Sequence, residues 1–396
     1  MNGQGGLGFR WHPSARVFDG AGREYLRLAE GLALPPERPS GQALALALAA
    51  GGFRIGGGDA LPDGFETLTG GSSGAPRRIR RSPASWIASF TVNARLFGIG
   101  PEVRVAVLGR LVHSLALYGA VEAVHLGAEL HMMDDLRPDR QRRAMAERGL
   151  QVLYATPAQA RLMVEAGGPV VDGLRQVLIG GSKLDRALRL GIAAMAPGAV
   201  VTEFYGAAEA SFITLAGAEC PEGSVGLPYP WVELQVSGPD GQRLGAGEVG
   251  EIWLRSPYLF EGYAGNDPGS ARWRDGFLSV GEIGALRGGY LYLAGRAGRM
   301  VTIADQNVFP EEIEAFLATL PGVTRAAVLP MPDAARGQRL VAVLMGDAGE
   351  ETAILSALRE RLGPLQAPKK LIWRQDWPVL ASGKTDLVQL AADLAS

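Results

Sequence analysis

The run Thr69-Gly70-Gly71-Ser72-Ser73-Gly74-Ala75-Pro76-Arg77 is built from small and hydroxylated residues and leads into paired arginines, Arg77 and Arg78. Backbone N–H groups unobstructed by side chains can approach phosphate oxygens, the hydroxyls add donors, and the guanidiniums add charge. The Gly-Lys-Ser/Thr ending of a Walker A loop is missing, so this is not that motif. A Gly/Ser run also serves as a mobile linker. A second station is Glu203-Phe204-Tyr205-Gly206-Ala207-Ala208-Glu209. Its aromatic ring, at the end of a strand-like run, can stack on a base, and a carboxylate four residues on can hold Mg2+. A tyrosine anchoring a strand end beside a surface glutamate would read the same way. The third is Asp275 to Gly284, containing Val280-Gly281-Glu282, followed by Gly295-Arg296. A carboxylate in a tight turn can take both hydroxyls of a ribose, and a plain hairpin with an exposed glutamate is equally compatible. The fourth, Pro378 to Asp386, carries Gly383-Lys384. A lysine after a glycine turn can swing into a neighbouring site as a point charge, or lie solvated at the surface.

The elements around these stations alternate. Pro83 to Gly98 has a helical pattern with Trp86, Phe90 and Leu96 as candidate core. Val103–Leu108, Val121–Leu126, Val152–Tyr154, Gln176–Ile179 and Val200–Phe204 read as strands, with a basic helix over Asp139–Arg148. Strands alternating with helices predict an α/β fold with parallel pairing. After about residue 223, Val232–Val236, Glu251–Arg255 and Tyr290–Leu293 alternate between glycine-rich turns, which predicts antiparallel structure. After Gly298 a helix over Pro310–Leu320, strands Val323–Leu329 and Leu340–Met345, a helix Thr352–Leu362 and a strand Lys369–Arg374 form an α+β unit. Proline in a first helical turn followed by acidic residues fits that helix start. Gln42–Ala50 predicts a short buried helix, and Gly51-Gly52 and Gly56-Gly57-Gly58 interrupt the segment that follows it.

The chain has 396 residues, enough for two or three domains and a large core. With 47% hydrophobic and 20% charged residues it does not read as disordered. A formal charge of −2 gives no bulk reason to expect nucleic acid or an anionic membrane as partner. One cysteine, Cys220, excludes an internal disulfide, which points to a reducing, cytoplasmic setting. No apolar run approaches the ~18 residues of a membrane span, and the first residues lack the apolar stretch of a signal peptide.

Each station is weak alone, but their order and spacing are not. The chain resembles the adenylate-forming superfamily of acyl-CoA and aryl-CoA synthetases, peptide-synthetase adenylation domains and firefly luciferase. Thr69 to Arg77 is similar to the family's Ser/Thr-Gly phosphate loop, Gly180-Gly181-Ser182 to its upstream glycine pair, and Tyr205 to Glu209 to its YGxTE station. Gly223 to Pro228 resembles the VGxP turn, Gly247 to Ile252 the GExGEI strand, and Gly281-Glu282 with Gly295-Arg296 the TGD-then-GR pair. Pro310 to Glu314 resembles the PxEIE helix start and Pro378 to Asp386 the PxxxxGKxD ending. The likeness spans about residues 66 to 390.

The resemblance implies an adenylate-forming domain over 1–297, with mixed, mostly parallel sheets and a small antiparallel β subdomain. A mobile α+β domain over 298–396 would follow. It implies an AMP-forming acid–thiol ligase using ATP and Mg2+, with coenzyme A or a carrier-protein phosphopantetheine arm as acceptor. The other partner is a small carboxylic acid, and an acyl carrier protein is a further candidate. Thr69, Gly70, Gly71, Ser72, Ser73, Gly74 and Arg77 would hold the β- and γ-phosphates. Gly181, Ser182, Tyr205, Gly206, Ala207 and Ala208 would border the adenine, and Glu209 would hold Mg2+. Glu282 and Arg296 would take the ribose, and Lys384 would bridge the carboxylate and α-phosphate. His113 and Gly180 would border the acyl pocket, with Gly298 as hinge. Departures accompany the likeness. Only 68 residues precede Thr69, so part of the usual first subdomain is expected to be missing or reduced. Arg77 replaces the loop lysine, Ala208 a threonine, Glu282 an aspartate, and Gly298 a lysine or aspartate. Thr302 and Asp305 replace the lysine and glycine of the segment lining the pantetheine tunnel. A stand-alone adenylation enzyme and a non-catalytic relative are the alternative readings.

Overall fold

A computed structural model describes residues 8–25, 64–69, 77–111, 113–264, 271–303, 306–333, 337–347, 351–380 and 384–395. It divides into two compact units, Met1–Glu233 with Leu254–Gly269, and Leu234–Trp253 with Ser270–Ser396.

In the first unit, β1 (Arg16–Phe18) and β2 (Glu24–Tyr25) pair antiparallel, as do β3 (Phe65–Leu68) and β4 (Arg78–Arg81). Then β5 (Arg104–Val107), β6 (Glu129–Met132), β7 (Val152–Ala155), β8 (Gln176–Gly180) and β9 (Val200–Ala207) alternate with the helices Ser114–Leu126, Pro138–Glu147, Pro157–Glu165 and Arg186–Met195. β10 (Ser211–Ala216) turns back on β9, and β11 (Leu227–Pro228) on β10. The sheet order is β11-β10-β9-β8-β7-β5-β6-β1-β2, parallel from β9 through β1. β7 and β8 are buried at every position, as strands covered on both faces must be. Met145, Leu153, Ile179 and Ile192 sit in the core beneath them. After β5 the chain goes first to β6 and then across to β7 on the other side, so strand order reverses at β5. In open α/β sheets such a reversal opens a crevice at the carboxyl ends of the strands.

Next in sequence, β12 (Glu233–Ser237) and β13 (Gly250–Arg255) contribute to the second unit's sheet, while β14 (Gly262–Tyr263) returns to the first and extends β4. The second unit adds β15 (Arg272–Arg274), β16 (Phe277–Ser279), β17 (Glu282–Arg287) and β18 (Tyr290–Arg296), in the order β15-β16-β13-β17-β18 with β12 on β13. A 3-10 turn, Ala297–Arg299, leads to the hairpin β19 (Val301–Ile303) and β20 (Gln306–Val308) and the helix Pro310–Leu317. Then β21 (Val323–Asp333) pairs antiparallel with β22 (Gly337–Gly346), and β23 (Lys370–Arg374) joins β22 in parallel after the helix Glu351–Gln366. The helix Leu387–Ala395 closes the unit. Ile313, Leu317, Val328, Leu344 and Leu358 form its core.

The α/β class and most elements follow the sequence expectation, with particular corrections. Val121–Leu126 is not a strand but the last turns of the helix Ser114–Leu126, and the strand is β6, beyond Gly127 at φ +88°. That helix is buried continuously from Ala116 to His125, so its apolar run has no polar face from which a period could be read. Trp86 and Phe90 are core, but Leu96 is 49% exposed. The expected helix Gln42–Ala50 lies outside the described residues. Among the described residues no helix is long and apolar enough to cross a membrane.

Candidate active site

The Gly/Ser loop is mounted on the β3–β4 hairpin, not on a helix. Leu68 pairs with Arg78 in the ladder. One residue further out, Thr69 N donates to Arg77 O and Arg77 N to Thr69 Oγ1, both at 2.9 Å. The loop is thus closed at its base by a two-bond clasp, and Gly70, Gly71, Ser72, Ser73 and Gly74 lie outside the described residues. Leu68 also forms a parallel bridge with His113, which follows β5 and precedes the helix Ser114–Leu126. Burial, with the neighbouring Arg110, holds the His113 imidazole below its ordinary range.

Gly180 ends β8. A Cβ there would lie 2.2 Å from the Phe204 ring, so any other residue would require that ring to move. Gly181 follows at φ +103° and, with Ser182, is exposed. Tyr205, Gly206 and Ala207 are half-buried at the end of β9, and Ala208 and Glu209 occupy the turn into β10, where Ala210 N donates to Ala207 O at 3.0 Å. Gly206 is required, since a Cβ would meet the Ser211 carbonyl at 2.2 Å. His113, Gly180–Ser182 and Tyr205–Glu209 therefore all lie at the carboxyl ends of strands in one sheet.

Two residues that sequence reasoning passed over hold this turn. Arg81 is fully buried. It donates to Ala208 O at 2.5 Å, to Ser211 Oγ at 2.8 Å and to Tyr258 O. Burial pulls its guanidinium down to about 9, against the field of Glu209. The burial pattern of β4 alternates, Arg78 and Arg80 outward, Ile79 and Arg81 inward, whereas in the sequence Arg81 is one more member of a basic run. Tyr263, in β14, donates its hydroxyl to Glu209 Oε1 at 3.0 Å, and its ring centroid lies 5.6 Å from the guanidinium carbon of Arg77. Thr69, Arg77, Tyr263 and Glu209 thus converge in the first unit.

The second unit carries the other stations. Glu282 faces Arg296 across β17 and β18, and Arg296 Nε donates to its Oε1 at 2.9 Å. Burial raises the Glu282 carboxyl, while Arg296 and then Lys384 oppose that shift. Lys384 sits in a narrow loop where Leu380 N donates to its carbonyl at 2.8 Å and Val379 bridges Thr385. Gly298 is exposed in the turn Ala297–Arg299, and a Cβ there would meet nothing within 4 Å, so sterics do not demand glycine. Arg299 pairs with Glu314 at 2.7 Å and Glu311 at 3.3 Å and donates to Val328 O at 3.1 Å. Thr302 is exposed opposite Asn307, and Asp305 lies outside the described residues.

The model of the AMP-binding enzyme family matches residues 67–264, and that of the AMP-binding enzyme C-terminal domain matches 312–384. The chain belongs to the AMP-binding enzyme family. It is 31% identical over 322 residues to the uncharacterized acyl–CoA ligase YhfT of Bacillus subtilis (strain 168), covering 80% of this chain and 66% of that one. Among solved structures, ATP-bound MatB from Rhodopseudomonas palustris superposes with a TM-score of 0.81 at 20% identity over 96% of both chains. MenE of Bacillus subtilis, an O-succinylbenzoate coenzyme A synthetase in complex with ATP and magnesium, gives 0.72 at 23% identity, over 83% of this chain and 69% of that one. At those identities the likeness is one of fold. The first family model begins, and the second ends, at stations read from the residues. The first runs from the base of the Gly/Ser loop to just past Tyr263, and the second ends at Lys384.

Proposed function

We propose that this protein activates a small carboxylic acid as its acyl-adenylate, using ATP, and passes the acyl group to a thiol, that of coenzyme A or of a carrier-protein arm. The observation that carries the reading is the convergence of Thr69, Arg77 and Glu209, a loop base, a cation and a carboxylate, in a chain of the AMP-binding family. A carboxylate oxygen of the acid attacks the α-phosphorus in line. The α–β bridging bond breaks and pyrophosphate leaves. The enzyme forms no covalent bond, so positioning and charge neutralisation do the catalysis. Thr69, Ser72, Ser73 and Arg77 hold the outgoing phosphates. Tyr205 and Gly181 flank the adenine, and Ser182, Gly206, Ala207 and Ala208 border it. Glu282 and Arg296 take the ribose hydroxyls. Lys384 neutralises charge between the carboxylate and the α-phosphate, and His113 and Gly180 border the acyl group.

Magnesium fits Glu209 as one protein ligand among nucleotide oxygens. Tyr263 takes Oε1, while no hydrogen bond from the described residues takes Oε2. No group of three or more His, Cys, Asp or Glu among the described residues forms a metal cage. A single carboxylate plus phosphates is the usual way Mg2+ is held with a nucleotide. The ion would supply charge neutralisation at the β- and γ-phosphates.

In the second step the thiol sulfur attacks the acyl carbonyl, AMP leaves, and the thiol proton passes to solvent. Exchange of Lys384 for the acceptor would follow rotation of residues 298–396 about the turn Ala297–Arg299. The compact unit 234–253 with 270–396 contains both sides of that pivot. A cytoplasm, with ATP and reduced thiols, suits the chemistry. The test is acid-dependent exchange of labelled pyrophosphate into ATP, over a panel of aryl, short-chain, long-chain and amino acids. Exchange with one class identifies the acid. No exchange with any would favour a non-catalytic relative.

A further inference from the structure

We propose that Tyr263 is a positioning residue of this site, aligning Glu209 for the magnesium that accompanies ATP and holding Arg77 toward the same phosphates; this rests on the roles given above to Glu209 and Arg77. The argument starts from the chain. β14 is only two residues long, but it is laid on β4 by the pairs Gly262↔Arg80 and Tyr263↔Ile79. Backbone bonds prolong the match on both sides, Glu261 N to Arg80 O and Ala264 N to Arg78 O, each at 2.9 Å. β4 begins directly after the Gly/Ser loop, so the position of Tyr263 is fixed relative to Arg77 by a ladder and not by a flexible connection.

The same short segment holds Glu209 twice. Phe260 N donates to the Glu209 carbonyl at 2.8 Å, which sets the backbone of the turn. The Tyr263 hydroxyl donates to Oε1 at 3.0 Å, which sets the rotation of the carboxylate. The Phe260 ring packs edge-on against the Tyr263 ring at 5.2 Å, so the phenol is itself braced. A carboxylate with one oxygen oriented by a donor presents its second oxygen in a fixed direction, and the ordering cost is then not charged to metal binding. The other face of the argument is Arg77, 5.6 Å from the ring centroid. A ring face attracts a guanidinium without itself taking up an N–H donor. One side chain therefore links the cation and the carboxylate to which the phosphate and magnesium roles are given above.

The experiment separates the hydroxyl from the ring. Tyr263→Phe keeps the face toward Arg77 and removes the donor to Glu209; Tyr263→Leu removes both. ATP binding is measured by equilibrium dialysis without any acid, across a Mg2+ titration, so no turnover enters the readout. For Tyr263→Phe the Mg2+ needed for half-maximal binding should rise roughly tenfold, about the worth of one hydrogen bond to a charged group. ATP affinity at saturating Mg2+ should stay within about twofold, because the cation–ring contact is kept. Tyr263→Leu should lose a further factor of about three at saturating Mg2+. Where Tyr263→Leu does not fold, Tyr263→Phe decides. In pyrophosphate exchange the same Mg2+ shift should appear with the KM for the acid unchanged. A wild-type protein that binds Mg2+-ATP, with a Tyr263→Phe variant of identical Mg2+ dependence, would overturn this inference and leave the adenylation reading standing. A wild-type protein that binds no ATP at all would overturn both.

Discussion

Glu122 offers a test of the packing beneath the site. It is wholly buried in the first unit. Asn93 Nδ2 donates to its Oε1 at 2.8 Å, the Tyr118 hydroxyl donates to the same oxygen at 3.3 Å, and the Tyr154 hydroxyl donates to Oε2. Asn93 in turn accepts from the Tyr229 hydroxyl at 2.7 Å, and the Tyr229 ring stacks on Phe212 in β10. Burial raises the Glu122 carboxyl from 4.5 to about 8, in spite of the three donors. The folded form therefore binds the proton more tightly than the unfolded chain. Its contribution to stability is fully present below about pH 4.5 and is lost as pH rises toward about 8. At about 1.4 kcal/mol per unit, this group alone should remove about 2 kcal/mol between pH 5 and 7. Glu122→Gln keeps the shape and does not titrate. Its amide nitrogen can donate to a tyrosine hydroxyl oxygen as the protonated carboxyl does, so the variant should stay close to the parent protein in stability at pH 5. It should then lack the slope. Urea midpoints of both proteins, measured from pH 5 to 8, give the difference directly, since every other group titrates in both. Parallel curves would show that Glu122 is ionised throughout and that the burial argument is wrong.

Lys384→Ala should lower pyrophosphate exchange by roughly 10²–10³, the usual worth of one preorganised charge, and should slow thioester formation from supplied acyl-adenylate far less; equal losses in the two half-reactions would make the lysine structural. Glu209→Gln should bind ATP only at higher Mg2+, and an unchanged Mg2+ titration would place the ion elsewhere. Asp305→Gly should lower the KM for coenzyme A about fivefold if a like charge near its phosphates costs about 1 kcal/mol, as judged by steady-state thioester assays. No change would mean that Asp305 points away from the pantetheine path.

The sequence was most legible where a short motif is also a local structure. The strand runs Val152–Tyr154 and Gln176–Ile179 and the helix start at Pro310 lie within a residue or two of the observed elements. Composition blurred the helix Ser114–Leu126, where burial on all sides erases the period that separates helix from strand. The contacts of Arg81 and Tyr263 were not legible, because their partners are far away in the chain. Arg81 reads as one more member of a basic run until its partners at Ala208, Ser211 and Tyr258 are known. Tyr263 has no motif partner within its own segment that names Glu209 as its acceptor. The glycines were legible as a group but not by role. Gly180 and Gly206 are closely approached by Phe204 and Ser211, whereas Gly298 has open space around it.

Arg81 also bears on the order in which the molecule assembles. Its three acceptors lie 127, 130 and 177 residues further along the chain. An unpaired guanidinium is not driven out of water, because burying it alone costs several kcal/mol. β4 can therefore seat fully only when the β9–β10 turn and the segment around Tyr258 arrive together. Contacts of such long sequence separation form late and set slow folding rates. During synthesis from the amino end, the loop clasp at Thr69 and Arg77 is available early, yet the buried cation behind it has no home until Tyr258 has emerged. The hairpin that carries the Gly/Ser loop and the turn that carries Glu209 are thus locked by the same closing event, so a partly folded chain presents neither in its working position.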